Sequence, residues 1–198
     1  MSEAARSAHS SDNSRHASQK KIIQLLLERG ANPNIADKDG WTPLQWAAKW
    51  GNKDVVQLLL DSGADPNSSN KDGWNSLHWA AYHGNKDVVK LLLHGGANPD
   101  LTTISGSTPL HWAVQSGNKD VLQLLLDRGA KPNSMNNDGW APIHMAAGSG
   151  HIDLVHLLLN AGAEPNKENN SGQTPLLLAE KYGQRQVVNI LKYVLKQQ

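Results

Sequence analysis

Cysteine and phenylalanine are both absent from this chain of 198 residues. Without cysteine there is no disulfide framework and no Cys-type zinc site. Neither sign of charge dominates: Lys plus Arg is 19, Asp plus Glu is 18, and the formal net charge is +1. That balance supplies no general pull toward nucleic acid or acidic membrane surfaces. Long apolar runs are missing too. The longest are trios such as Leu91, Leu92 and Leu93, far short of the roughly 18 residues of a membrane span. Met1 to Ser18 is mostly Ser, Ala, His, Asn and charge, with no apolar signal segment. These absences predict a soluble protein of the cytoplasm and/or nucleus, with no membrane and no nucleic acid among its partners. The aromatic complement is unusual in its makeup: seven Trp and three Tyr, with no Phe.

What the chain does have is a period. The pattern GxTPLHxAAxxGNxDVVxLLLxxGAxPN returns every 33 residues, with its glycine at Gly40, Gly73, Gly106, Gly139 and Gly172. A unit this short cannot bury its own apolar face. It must stack on copies of itself, which gives an elongated all-α solenoid and not a globule with a pocket.

One copy can be read from its chemistry. Lys38-Asp39-Gly40 is a turn, with Gly40 free to take positive φ. Thr42-Pro43 starts a short helix of about Pro43 to Lys49: the hydroxyl caps free N–H groups, and proline at the first helical position loses no needed donor. Gly51-Asn52 breaks that helix, and Asn52 caps a second one, whose first turn holds Asp54 where the helix dipole favours an acid. Val55, Val56, Leu58, Leu59 and Leu60 are too apolar for a one-sided surface helix, so this helix is covered on several sides. Gly63 is a left-handed stop, and Asp65-Pro66-Asn67 leads out to the next copy.

Thr42-Pro43-Leu44, Thr108-Pro109-Leu110-His111 and Thr174-Pro175-Leu176, with the closing Gly63-Ala64-Asp65-Pro66-Asn67 and its copies, resemble the ankyrin repeat family. The resemblance covers about Gln19 to Gln198. It implies stacked helix pairs with turns projecting to one side and a concave inner face. The expected organisation is a disordered tail over 1–18 and an N-terminal half repeat over 19–37. Repeats follow over 38–70, 71–103, 104–136 and 137–169, then a capping repeat over 170–198. The half repeat has a second helix, since Ser18 to Asn34 aligns with Gly51 to Asn67. Its first helix would fall near His9 to Ala17, which has almost no apolar content. Three departures weaken single helix starts by about a kcal/mol each. The second copy reads Asn75-Ser76 for Thr-Pro, the fourth has Ala141 for the capping Thr, and Gln45 and Leu177 stand where His78, His111 and His144 stand.

Catalysis finds no support. Stacked copies place His78, His111 and His144 roughly 8–10 Å from one another, whereas zinc takes ligands at about 2 Å. The three imidazoles are expected to bond to nearby turns. His78 and His83, like His151 and His156, lie five apart, which is not a helical ligand pair. The glycines punctuate turns and form no phosphate-cradling loop. No nucleophile–base arrangement is present. No catalytic residue, metal or cofactor is expected.

Binding is where the tryptophans point. On a wheel of about 100° per residue, Leu44, Ala47 and Ala48 form the buried stripe, and Trp46 falls about 200° away between Lys49 and Trp50. Positions 46, 49 and 50 therefore face outward. Their equivalents are Trp79, Tyr82 and His83, then Trp112, Gln115 and Ser116, then Met145, Gly148 and Ser149. The turn tips add Trp41, Trp74, Ser107, Trp140 and Gln173. The family resemblance implies that turn tips and the inner helix face form the contact surface. The candidate partner-binding set is Trp41, Trp46, Lys49, Trp50, Trp74, Trp79, Tyr82, His83, Trp112 and Trp140. Aromatics on a rigid exposed face are typical anchors. Trp46, Trp79 and Trp112 stand where the family usually has an apolar residue, often Leu, and so also serve packing. Trp41, Trp74 and Trp140 at the turn tips are the freer anchors, and Trp41→Ala with Trp74→Ala should weaken binding while leaving the fold nearly unchanged.

The expected function is a monomeric, non-catalytic module that binds another protein or peptide. Two alternatives stand beside it. Trp41, Trp46 and Trp79 match in spacing the aromatic cage of ankyrin modules in the euchromatic histone lysine methyltransferases, which implies a methyl-lysine reader working by cation–π attraction. Lys49 stands where that cage has an acid. The next register offers Trp74, Trp79 and Trp112, with Tyr82 in the acid's place. The recurring Gly-Asn-Lys-Asp-Val at Gly51, Gly84 and Gly117 suits a designed or consensus-like scaffold, although Leu101-Thr102-Thr103-Ile104 looks natural.

Overall fold

The computed structural model describes residues 18–197, which form eleven helices and, among those residues, no strand. Helix α1 covers 18–28, Ser18 included. Five short and five longer helices then alternate. They are α2 (Pro43–Lys49), α3 (Lys53–Asp61), α4 (Ser76–Tyr82), α5 (Lys86–His94), α6 (Pro109–Gln115), α7 (Lys119–Asp127), α8 (Pro142–Ser149), α9 (Ile152–Asn160), α10 (Pro175–Lys181) and α11 (Arg185–Leu195). The first helices α2, α4, α6, α8 and α10 pack on one another in order, and so do α3, α5, α7, α9 and α11. Each first helix also packs on the second helix of its own copy, so the stack has two layers.

The core is the seam between the layers, and the same positions build it in every copy. Leu44, Ala47 and Ala48 are buried, as are Leu77, Ala80 and Ala81, Leu110, Ala113 and Val114, and Ile143, Ala146 and Ala147. From the second helices come Val55, Val56 and Leu59, and their equivalents through Leu154, Val155 and Leu158. Small alanines let the first helices approach closely, and the branched residues of the longer helices fill the space between copies.

Hydrogen bonds tie copy to copy. In each turn one strand-like pair closes the tip, as Asn70 N–H to Trp74 C=O (2.9 Å) shows. Each tip then bonds the previous one: Lys71 N–H to Asp39 C=O (3.1 Å), Ile104 N–H to Asp72 C=O (3.0 Å), Asn137 N–H to Ser105 C=O (2.9 Å). Gly73 shows why glycine is needed here. Its φ is +79°, and a Cβ would lie 2.8 Å from the backbone nitrogen of Ile104.

The conserved pattern of helix starts turns out to be a second inter-copy tie. His78 Nδ1 accepts from Asn75 N–H (3.2 Å) while Nε2 faces Ser107 C=O (3.2 Å). His111 repeats this with Thr108 N–H and Trp140 C=O, and His144 with Ala141 N–H and Lys167 C=O. Gln45 performs the same task without a ring: its Oε1 accepts from Thr42 N–H (3.1 Å) and its Nε2 donates to Ser68 C=O (2.7 Å). Leu177, at this position in the copy that begins at Gly172, carries no polar group for such a tie and is exposed.

The two ends differ. On α1, Ile23 and Leu27 pack on the core, but Ile22, Leu25 and Leu26 are exposed. This helix has the apolar sequence of a second helix, and residues 9–17, where its first helix would fall, lie outside the described residues. At the other end α11 buries Val187 and Leu191, presents Gln186, Asn189 and Lys192 outward, and is tied to α10 by Lys192–Glu180 (2.8 Å).

Candidate interaction surface

Five indoles form one continuous ladder across the first helices and turn tips. Trp46 stacks on Trp41 with ring centroids 4.3 Å apart, and Trp41 stacks on Trp79 at 4.8 Å. Trp79 meets Trp74 at 4.2 Å, and Trp74 meets Trp112 at 4.4 Å. The order is set by the architecture. Each turn tip folds back over the first helix of its own copy and reaches the first helix of the next. A turn-tip tryptophan is therefore held between two helix tryptophans. The ladder ends at Trp112 because the third turn tip is Ser107. Tyr82 closes one side, meeting Trp74 and Trp112 edge-on at 6.1 and 5.8 Å. His83 is exposed, 6.2 Å from the Trp79 ring.

Exposure follows from this stacking. Trp50 is 74% exposed, Tyr82 41% and Trp46 40%, while Trp41, Trp74, Trp79 and Trp112 are half-buried. The wheel places 46, 49 and 50 correctly on the outer side of α2. The turn-tip residues differ from expectation: Trp41 and Trp74 are inner rungs, and Trp50 is the open anchor. Removing Trp41 and Trp74 together would collapse the ladder, so that pair cannot separate binding from stability. The indole N–H groups of Trp79 and Trp112 are buried without an acceptor, so stacking holds these rings without help from a hydrogen bond.

Lys49 is the second finding. Its Nζ lies 4.8 Å from the Trp79 ring centre, 5.0 Å from Trp41, 5.3 Å from Trp46 and 5.9 Å from Trp50. The three rings that match a methyl-lysine cage in spacing therefore do surround an ammonium, and it belongs to the chain itself. Cation–π attraction makes the sequence's apparent misfit, a lysine in the acid's place, a stable arrangement.

Trp140 stands apart. Among the described residues its ring neighbour is His144 at 6.1 Å, and it lines a shallow polar groove with Gln115, Asp138, Met145, Ser149 and Tyr182. A more apolar groove of about 630 Å³ runs between α1 and α2, bordered by Ile22, Ile23, Trp46, Ala47, Trp50 and Val55. Neither this groove nor Lys181 and Tyr182 figured among the sequence candidates. Counting four periods on from 49 and 50 would have found the latter two.

Burial keeps the three helix-start histidines neutral. Burial pushes His78 down to about 4, against the raising effect of its bond to the Ser107 carbonyl. His111 and His144 are lowered for the same first reason. Each Nδ1 accepts a backbone N–H, so the neutral ring fits and a protonated one would set donor against donor. Among the described residues no three His, Asp or Glu side chains gather as a metal site.

Repeated helix pairs with a rigid, exposed aromatic face define a class: a solenoid that offers an extended surface to another macromolecule. The family described as ankyrin repeats (three copies) matches residues 14–103, 62–136 and 110–197, and the chain belongs to it. Similar known proteins match over about one repeat. One is the ankyrin repeat protein FPV223 of Fowlpox virus (strain NVSL), 56% identical over 32 residues, 16% of this chain and 23% of that protein. Another is protein phosphatase 1 regulatory subunit 12A of Mus musculus, 47% identical over 34 residues, 17% of this chain and 3% of that protein. The Rattus norvegicus counterpart matches to the same extent. Ankyrin repeats generally mediate protein–protein interaction and are typically non-catalytic. No helix among the described residues is long and apolar enough to cross a membrane.

Proposed function

We propose that this chain is a non-catalytic, monomeric interaction module of the cytoplasm or nucleus. It holds a partner protein or peptide on the face built by Trp46, Lys49, Trp50, Tyr82 and His83, with Trp41, Trp74, Trp79 and Trp112 as its floor. The observation that carries this reading is the ladder itself. Five indoles are fixed by mutual stacking, so their edges and the open ring of Trp50 are presented without an entropic cost of ordering on binding. Trp140 and its groove lie beyond the break at Ser107 and are assigned to the rim. The short matches to the fowlpox and phosphatase-regulatory proteins support the repeat and carry no partner over.

The test is a pull-down from cell lysate with the wild-type chain beside Trp50→Ala. Trp50 has one aromatic-face neighbour, Lys49, so its removal should change stability by no more than about 0.5 kcal/mol. A protein captured by wild type and lost by the variant is the expected outcome. A partner held equally by both would move the site away from this face.

The methyl-lysine reading is favoured by one observation, the ammonium within 5.3 Å of Trp41, Trp46 and Trp79. For an external ligand the cage would first have to release Lys49. A trimethyl-lysine peptide that binds wild type would support this reading; one that binds only Lys49→Glu would rule it out for the natural chain.

A further inference from the structure

The docking face has a charge pattern that names its ligand's chemistry. The outward positions of the first helices are Trp46, Lys49 and Trp50, then Trp79, Tyr82 and His83, then Trp112, Gln115 and Ser116, then Met145, Gly148 and Ser149, and last Lys181 and Tyr182, Leu178 in that copy being buried. No carboxylate occurs among these positions. Two ammonium groups do, and both lie over rings: Lys49 as described, and Lys181 at 5.5 Å from Tyr182. The acids of the turn that precedes Lys49 in its own copy are engaged elsewhere. Asp39 faces Lys71 at 4.0 Å, and the Asp37 carboxylate accepts from Asp39 N–H and Trp41 N–H, each at 2.9 Å. Lys49 takes part in no ion pair or hydrogen bond among the described residues.

An ammonium has three N–H donors. Ring faces satisfy the charge but supply no oxygen acceptor, and Lys49 remains partly exposed, so its donors are open to an incoming carboxylate. Lys49 is also half-buried, so water screens it less than a lysine on a free surface, and a carboxylate brought to it gains more. We infer that the partner segment is acidic. It sets an Asp or Glu carboxylate on Lys49 Nζ and lays flanking apolar side chains on Trp46, Trp50 and Tyr82. This inference rests on the proposed docking face and adds the chemistry of what docks there.

A display library of random peptides about 12 residues long, enough to cross the first helices, is selected on the full chain. The consensus peptide is then titrated by fluorescence anisotropy. The expected peptides carry Asp or Glu beside aromatic or aliphatic residues. Changing that acid to its amide should weaken binding about tenfold or more. Lys49→Gln should do the same, and the two changes together should cost little more than either alone. Thermal melts of Lys49→Gln and Trp50→Ala establish that both stay folded. Neutral or basic consensus peptides, an empty selection, or additive losses in the double-change cycle would each overturn the inference. The Trp50→Ala arm keeps the two levels apart. Non-acidic peptides lost with Trp50→Ala would leave the docking face standing and remove its charge preference. Peptides indifferent to Trp50→Ala would remove the face.

Discussion

In the copies that begin at Gly40 and Gly73, the outer face carries stacked indoles, Tyr82 and Lys49. In the copies that begin at Gly106 and Gly139, the same positions beyond the last rung, Trp112, hold Ser107, Gln115, Ser116, Met145, Gly148 and Ser149, with Trp140 outside the ladder. The skeleton beneath does not change. Leu44, Ala47 and Ala48 are matched by Ile143, Ala146 and Ala147, all buried, and the turns bond tip to tip throughout. A repeat protein can thus change its surface completely without touching its core, because the two sets of positions sit on opposite sides of the same helix. Stability is spread along the chain, while the stacked aromatic face is confined to one half.

The largest expected effect tests the common skeleton. Leu59 and Leu125 occupy the same place two periods apart, and both are at most 1% exposed. Leu59→Ala and Leu125→Ala should each destabilise by about 2–5 kcal/mol through cavity formation. Denaturant melts should give costs of similar size. A near-zero cost for either would break the claim that both halves share one core.

Acid should separate the junction held by Gln45 from the junctions held by histidine. The buried histidines have lowered values, so at mildly acid pH the unfolded chain binds protons that the folded chain does not. Stability is complete above the ordinary histidine value of about 6.5 and falls as pH drops, for His78 until about 4. His78 contributes up to about 1.4 kcal/mol per pH unit in that window, and His111 and His144 act in the same direction. The junction held by Gln45 has no such group. Hydrogen exchange at pH 5 against pH 7 should show protection lost around α6 and α8 before α2. Uniform loss, or none, would contradict the role given to the rings.

Two tryptophans at equivalent turn tips sharpen the comparison further. Trp74 and Trp140 each face the histidine four residues on, at 5.9 and 6.1 Å. Trp74 also meets Trp79, Trp112 and Tyr82. Aromatic pairs add about 0.5–1.5 kcal/mol each, so with three further pairs Trp74→Ala should cost about 1.5–4.5 kcal/mol more than Trp140→Ala. Equal losses in thermal melts would mean that the ladder is contact without coupling.

The repeat, its helix starts and its buried stripe were legible in the residues, because a period of 33 and a helical wheel depend only on position along the chain. The Leu44, Ala47, Ala48 stripe and the outward turn of Trp46, Lys49 and Trp50 follow from that arithmetic. The threading of Trp41 between Trp46 and Trp79 was not legible, since it depends on how far a turn tip leans over the neighbouring copy. The same lean buries half of Trp41 and Trp74 and leaves Trp50 open. Lys49 illustrates the limit most clearly. Its sequence position looked like a defect in a cage, and only the distances show the lysine filling it.

The smallest effect concerns a single helix start. In the third copy, the Thr108 hydroxyl lies 2.8 Å from His111 Nδ1 and can donate to it. In the second copy, Asn75 takes that place. Its Oδ1 caps His78 N–H at 3.0 Å but also lies 2.8 Å from His78 Nδ1, where two acceptors face each other when the ring carries its proton on Nε2. Its Nδ2 is buried without a partner. Turning the amide over would aim Nδ2 at His78 N–H and give up the cap. Neither orientation satisfies all groups, whereas a hydroxyl can accept from one neighbour and donate to the other. Asn75→Thr should therefore stabilise the chain by about 1 kcal/mol, the usual size of one recovered buried hydrogen bond. The gain should be seen as a raised melting temperature at pH 7. A melting temperature that stays the same or falls at pH 7 would show that the buried amide is satisfied in solution.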